Sequence, residues 1–140
     1  MDIKTTRGYR NNNPLNIEQS KGKAWQGEVR PSQDARFAQF ISMPYGYRAA
    51  FKLLRNYQLK HGCRVLADFI KRWAPAVENN TSGYIATVAK RAGLTAESVV
   101  DTRHELMMRR IVSAMSFVEN GIKADEDDIR RGWELFKAQP

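Results

Sequence analysis

From Ser42 onward, apolar residues recur at helical spacing in runs that each stop at a glycine or a proline, and this punctuation constrains the fold more than any other feature. Ser42 can cap a helix with Pro44 in its first turn, and Tyr47, Ala50, Phe51, Leu54 and Tyr57 form one apolar stripe before Gly62. Val65, Leu66, Phe69, Ile70 and Trp73 form a second stripe, ended by Pro75. Thr81 opens a third with Tyr84, Ile85, Val88 and Ala92, closed by Gly93. Thr102 and Glu105 have capping-box spacing ahead of Met107, Met108, Ile111, Val112, Met115 and Val118, and Asn120-Gly121 marks that helix's end. Asp125 caps a last helix carrying Ile129, Trp133 and Phe136.

The stretch before Ser42 reads differently. Residues 7 to 24 are rich in Gly, Asn and Lys and predict loop with a short ordered piece around Leu15 and Ile17. Trp25 to Val29 and Arg36 to Ile41 flank the turn-like Pro31-Ser32-Gln33-Asp34, which predicts a small β-hairpin. With 140 residues and 42% apolar content there is enough material for one core, so the expectation is a single, mainly α domain over residues 1–140, five or more helices with one hairpin.

Met1 to Arg10 is polar and basic, and no later run approaches the roughly 20 apolar residues of a membrane span, so neither a signal peptide nor a transmembrane segment is expected. A lone cysteine, Cys63, excludes an internal disulfide, and two histidines leave no Cys/His set for structural zinc. We therefore expect no cofactor and no metal. Cys63 beside His61 has no orienting partner in the sequence and is a poor candidate for a thiol nucleophile. The net charge of +8 is uneven, with 14 basic and 5 acidic residues up to Pro75 and 9 basic and 10 acidic after it. Such a first half favours polyanions in general, but no DNA or RNA recognition motif is present, so no specific nucleic acid is expected.

Glu119 is the residue that points most directly to chemistry. The predicted helix delivers it to a C-terminus directly after Phe117 and Val118, where the negative end of the helix dipole and the apolar neighbours both disfavour a bare charge. A carboxylic acid in such a place suits general acid catalysis, as glycoside cleavage requires. A solvated terminal glutamate is the plain alternative.

Three short segments carry a family resemblance. Asn13-Pro14-Leu15-Asn16-Ile17 with Trp25-Gln26-Gly27 looks like the start of the hairpin lobe of autolysin-type glucosaminidases, and Phe37 to Leu54 is similar to the stretch and helix that follow it. Glu78 to Ile85 resembles the segment of lytic transglycosylases that enters a helix lining the sugar groove. The chain thus resembles the lysozyme-like superfamily of peptidoglycan-cleaving enzymes. In those enzymes the catalytic glutamate ends a helix just before the hairpin lobe, whereas here no glutamate precedes Asn13. Ala114 to Gly121 looks like that helix end moved to the other end of the chain, which a circular permutation would reconcile. The whole chain, over roughly residues 7 to 135, also resembles small bacteriophage and prophage proteins labelled structural or virion proteins, with Arg7 to Pro14 as the shared start.

The resemblance implies a muramidase or lytic transglycosylase acting on peptidoglycan glycan strands with Glu119 as acid/base. Asp34 falls where the glucosaminidases carry a second acid, and Asp34 or Glu28 could activate water. Glu18 is the weaker third candidate, read as an exposed loop charge. Asn13, Asn16 and Trp25 are the expected sugar contacts. Tyr84 is expected to donate to the reacting sugar as the matching tyrosine does in that family, and Trp73 is read as core. The expected setting is synthesis in the bacterial cytoplasm and action at the periplasmic wall after delivery by a phage particle, a holin or a secretion apparatus. The alternative function is a non-catalytic wall-binding or virion structural module.

Overall fold

The computed structural model describes residues 6–75 and 80–140. Among these, six helices and a two-stranded hairpin follow one another as α1 (Arg7–Arg10), β1 (Glu28–Val29), β2 (Gln39–Phe40), α2 (Met43–His61), α3 (Leu66–Trp73), α4 (Thr81–Ala92), α5 (Glu105–Asn120) and α6 (Glu126–Ala138). The molecule is mainly helical with a small antiparallel hairpin. None of its described helices is long and apolar enough to cross a membrane.

The helical punctuation has direct structural counterparts. Gly62, Gly93 and Gly121 all close their helices with left-handed backbone, and each donates its N–H to a carbonyl of the last turn. Asp125 caps α6 by accepting from the Asp127 and Asp128 N–H groups at 2.9 and 3.0 Å. One expected cap is different. Thr102 is buried and bonded to Gln58 and Arg55, so His104 takes its place, its Nδ1 accepting from Met107 N at 3.2 Å.

The longest helix, α2, packs most closely against α6. Phe51 of α2 meets Trp133 of α6 edge-on with ring centroids 5.1 Å apart, and Phe136 closes the cluster at 6.0 Å from Phe51. Gly132 permits this approach. A β-carbon on it would lie 2.6 Å from Tyr47 Cβ and 2.9 Å from the Pro44 carbonyl oxygen. Helix α5, with Met108, Ile111, Val112 and Met115 buried, packs against α4 and α6 and extends its C-terminal end toward α1.

The hairpin is shorter than its apolar pattern predicts, pairing only Glu28 with Phe40 and Val29 with Gln39. Gly27, at φ +77°, turns the chain out of extended conformation, and a turn bond from Glu28 N to Trp25 O replaces strand pairing there. The ladder resumes where Glu18 bridges Phe37, with Ala38 N donating to Ile17 O at 2.9 Å, so the Leu15–Ile17 piece adds a ragged third edge. The helical turn at Arg7–Arg10 was not legible as a helix, because four residues carry no period.

Gly132→Ala is expected to destabilise the protein by about 1–3 kcal/mol through overpacking against Tyr47 and Pro44. Urea unfolding of the two chains measures this, and equal midpoints would show that the α2–α6 contact can relax.

Candidate active site

Glu119 occupies the penultimate position of α5, and the fold brings three donors onto its carboxylate. Tyr84 Oη of α4 donates to Oε2 at 2.9 Å, Trp73 Nε1 at the end of α3 reaches the same oxygen at 3.4 Å, and Asn16 Nδ2 of the N-terminal loop donates to Oε1 at 3.2 Å. The Trp73 indole also donates to Tyr84 Oη at 3.1 Å. Burial, and then the adjacent carboxylate, push the Tyr84 hydroxyl well above the usual phenol range, so it remains an O–H donor. All three donors are neutral, and among the described residues no cation is ion-paired with Glu119.

The carboxylate stands where two depressions meet. One, of about 700 Å³, has walls of Asn16, Ile17, Glu18, Arg36, Phe37 and Trp73 and continues to Leu53 and Tyr57. The other, of about 470 Å³, runs along α4 past Asn80, Gly83, Tyr84 and Thr87. Together they flank Glu119 as polar depressions on the scale of a ligand site.

The N-terminal loop reaches the cleft because asparagines brace it from within. Asn13 is fully enclosed. Its Nδ2 donates to Ile17 O and Ala38 O at 2.9 and 2.8 Å, and its Oδ1 accepts from Ile17 N at 2.9 Å. Asn120 Nδ2 donates to Pro14 O at 2.8 Å and so ties the loop to the end of α5. Asn16 adopts left-handed backbone at φ 55°, a conformation asparagine tolerates, and this turns its side chain to Glu119. Its Oδ1 has no hydrogen-bond partner among the described residues.

The expected site residues are therefore distributed unevenly. Glu119, Tyr84 and Asn16 meet in one place. Asn13, expected as a sugar contact, is corrected to a loop brace, because all of its polar capacity is spent on backbone and no surface is left for a ligand. Trp25 is half-buried against the core and lies outside the cleft walls.

Asp34 likewise lies elsewhere, in a depression with Arg10, Asn11 and Gln33. Its carboxylate takes two bonds from Arg7 at 2.7 and 2.8 Å, one from Asn11, and the backbone N–H groups of Arg36 and Phe37. The Arg7 guanidinium, followed by those backbone donors, holds it far below the usual carboxylate range. That is the arrangement of a hairpin brace, not of a base facing Glu119. Glu28 is also enclosed, bonded to Arg30 and to Trp25 N.

Trp73 and Glu18 are the residues that sequence reasoning undervalued. Trp73 was read as core by its helical spacing, and only its place in the last turn of α3 hinted that the indole N–H could face outward. Glu18 does line the cleft, ion-paired with Arg36 at 2.6 Å. Glu78 and Asn79, part of the α4 resemblance, lie outside the described residues. Asn80 caps α4 by accepting from Gly83 N at 3.1 Å. The described residues contain no cluster of three or more His, Cys, Asp or Glu placed to hold a metal. Burial pushes the Cys63 thiol up, and His61 instead contacts Arg72 at 3.2 Å.

Fold and site together define a mainly helical protein whose cleft is centred on one neutrally bonded glutamate. The chain is 37% identical over 131 residues to Protein P5 of Pseudoalteromonas phage PM2, a match that covers 91% of this chain and 80% of that protein, and it belongs to the same family of phage proteins. No protein-family model matches it.

Asp34 is more acidic folded than unfolded, so its stabilisation is complete above the unfolded value of about 4 and is lost as pH falls toward the folded value. Asp34→Asn is expected to melt below the parent at pH 7, with the gap closing as pH drops under about 4. A gap independent of pH would remove the Arg7–Asp34 brace from this account.

Proposed function

We propose that this protein cleaves the glycan strands of peptidoglycan as a lysozyme-like enzyme with Glu119 as its one acid/base, the lytic transglycosylase route fitting best. The observation that carries this reading is the contrast among the carboxylates near the cleft and hairpin. Glu18, Glu28 and Asp34 are each bonded to an arginine, whereas Glu119 is held by neutral donors alone. A proton can therefore leave or return to Glu119 without breaking an ion pair.

Glycosidic cleavage needs a proton delivered to the leaving oxygen. Hydrolysis by the usual routes then needs a second carboxylate as nucleophile or water activator, whereas attack by a hydroxyl of the substrate itself needs only the first group in its deprotonated form. In the proposed cycle Glu119 gives its proton to the bridging oxygen as the C–O bond breaks. The resulting carboxylate takes the proton of the sugar hydroxyl as that oxygen closes on the anomeric carbon. Tyr84 and Trp73 hold Oε2 throughout, and Asn16 orients Oε1.

The meeting of the N-terminal loop with the end of α5 supports the permuted reading, because it sets the glutamate beside the hairpin lobe although most of the chain lies between them. Kinship with a phage protein supports delivery to the periplasmic wall by a phage particle. The same kinship also favours the second reading, a virion structural or wall-binding module without chemistry.

Glu119→Gln is expected to fold normally and to lose about 10²–10⁴-fold in muropeptide release from purified sacculi. Tyr84→Phe is expected to lose about tenfold, the scale of one hydrogen bond to a charged group. No release by the wild type would favour the non-catalytic module, whereas release that survives the Glu119 change would remove Glu119 from the chemistry. Mass spectrometry of the products separates anhydro from hydrolysed ends.

A further inference from the structure

A second groove, of about 800 Å³, lies between α4 and α5 and is walled by Lys90, Arg91, Arg109, Arg110 and Lys123, with Glu126 at its lip. Arg109 is held by Glu105 at 3.0 Å and Glu126 at 4.0 Å, and Arg91 lies 3.6 Å over the Phe117 ring. Lys90, Arg110 and Lys123 form no ion pair among the described residues. Like charges gathered without counter-ions repel one another, which favours an anion between them.

Position narrows the choice of anion. Thr87 lines both this groove and the depression that ends at Glu119, so the two adjoin at α4. The nine residue steps of α5 from Arg110 to Glu119 span about 13 Å. Extended peptide covers that distance in about four residues.

Resting on the wall-cleaving reading, we propose that this groove binds the carboxylates of the short peptides attached to the glycan strand, while the sugars lie against Glu119. A concave, lengthwise channel fits a narrow branch better than the flat face of a membrane. It also adjoins the cleft at Thr87, which a separate duplex nucleic acid would not require. The site thereby selects peptide-bearing strands over bare sugar polymers.

Sedimentation with purified sacculi tests this, using native walls and walls whose carboxylates have been converted to amides. Wild-type protein is expected to bind native walls about tenfold more tightly than amidated ones, the combined scale of a few exposed ion pairs. The K90E/R110E/K123E variant is expected to lose that preference, and K90Q/R110Q to lose part of it should the charge reversal impair folding. Equal sensitivity to amidation in wild type and variants overturns the proposal. So does tighter binding of a fluorescent DNA duplex than of native walls through the same residues. Muropeptide release is followed in parallel. Charge-dependent binding without release overturns the cleavage reading alone and upholds the groove, whereas release that ignores both amidation and the variants overturns the groove alone.

Discussion

The seam between the end of α5 and the N-terminal loop governs the cleft. Asn120 is its fastener, with Nδ2 donating at once to Pro14 O and to Ser116 O, while Ser116 Oγ shares a hydrogen bond with Tyr47 Oη of α2. Leaving one such buried group unpaired costs about 1–3 kcal/mol, so the loop, α2 and α5 are locked to a common register. Glu119 precedes Asn120 by one residue and therefore stands about 100° away around the same axis. Seating Asn120 inward aims Glu119 along the cleft. The bracing by Asn13 works from the other side of the seam, holding Ile17 and Ala38 so that Asn16 reaches the carboxylate.

Charge is deployed in a way that a count along the chain conceals. The first half carries the excess of basic residues, yet several of its arginines are used internally. Arg7 clamps Asp34 and lies 4.4 Å over the Phe37 ring, Arg30 holds Glu28, and Arg36 holds Glu18. In the second half bases and acids nearly balance, but the acids gather at the start of α6, where Asp125 to Asp128 favour the helix N-terminus. That leaves Lys90, Arg110 and Lys123 to line a groove without counter-charges. That groove therefore lies in the half that a count along the chain shows as balanced.

What the sequence made legible divides along similar lines. Helices α2 to α6 announce themselves because apolar period and stop residue agree, as at Gly62, Gly93 and Gly121. Glu119 was visible because a helix end is a local feature, and Tyr84 because the helix it rides is strongly periodic. The hidden parts depend on contacts distant in sequence. Nothing local distinguishes Asn13 from Asn16, three residues apart, though one is walled in and the other touches Glu119 from 103 positions away. Periodicity places Trp73 on the inner face of α3 but says nothing of the indole N–H at its rim. The roles of Asp34 and Thr102 were likewise set by Arg7 and Gln58, partners that no spacing rule would have supplied.

The pairing of carboxylates with arginines gives the site its chemical asymmetry. An arginine-bound carboxylate is a good strut, since protonating it forfeits a charge-assisted bond of about 1.5–3 kcal/mol. Asp34 and Glu28 are tied to arginines in that way within the hairpin lobe. Glu119 is held differently, with Tyr84 and Trp73 donating to one oxygen and Asn16 Nδ2 to the other, and none of the three carries a charge. Among the carboxylates of the cleft and hairpin, the arginine-bound ones act as struts and Glu119 is the one held by neutral donors alone, and that contrast is what the proposed proton transfer rests on.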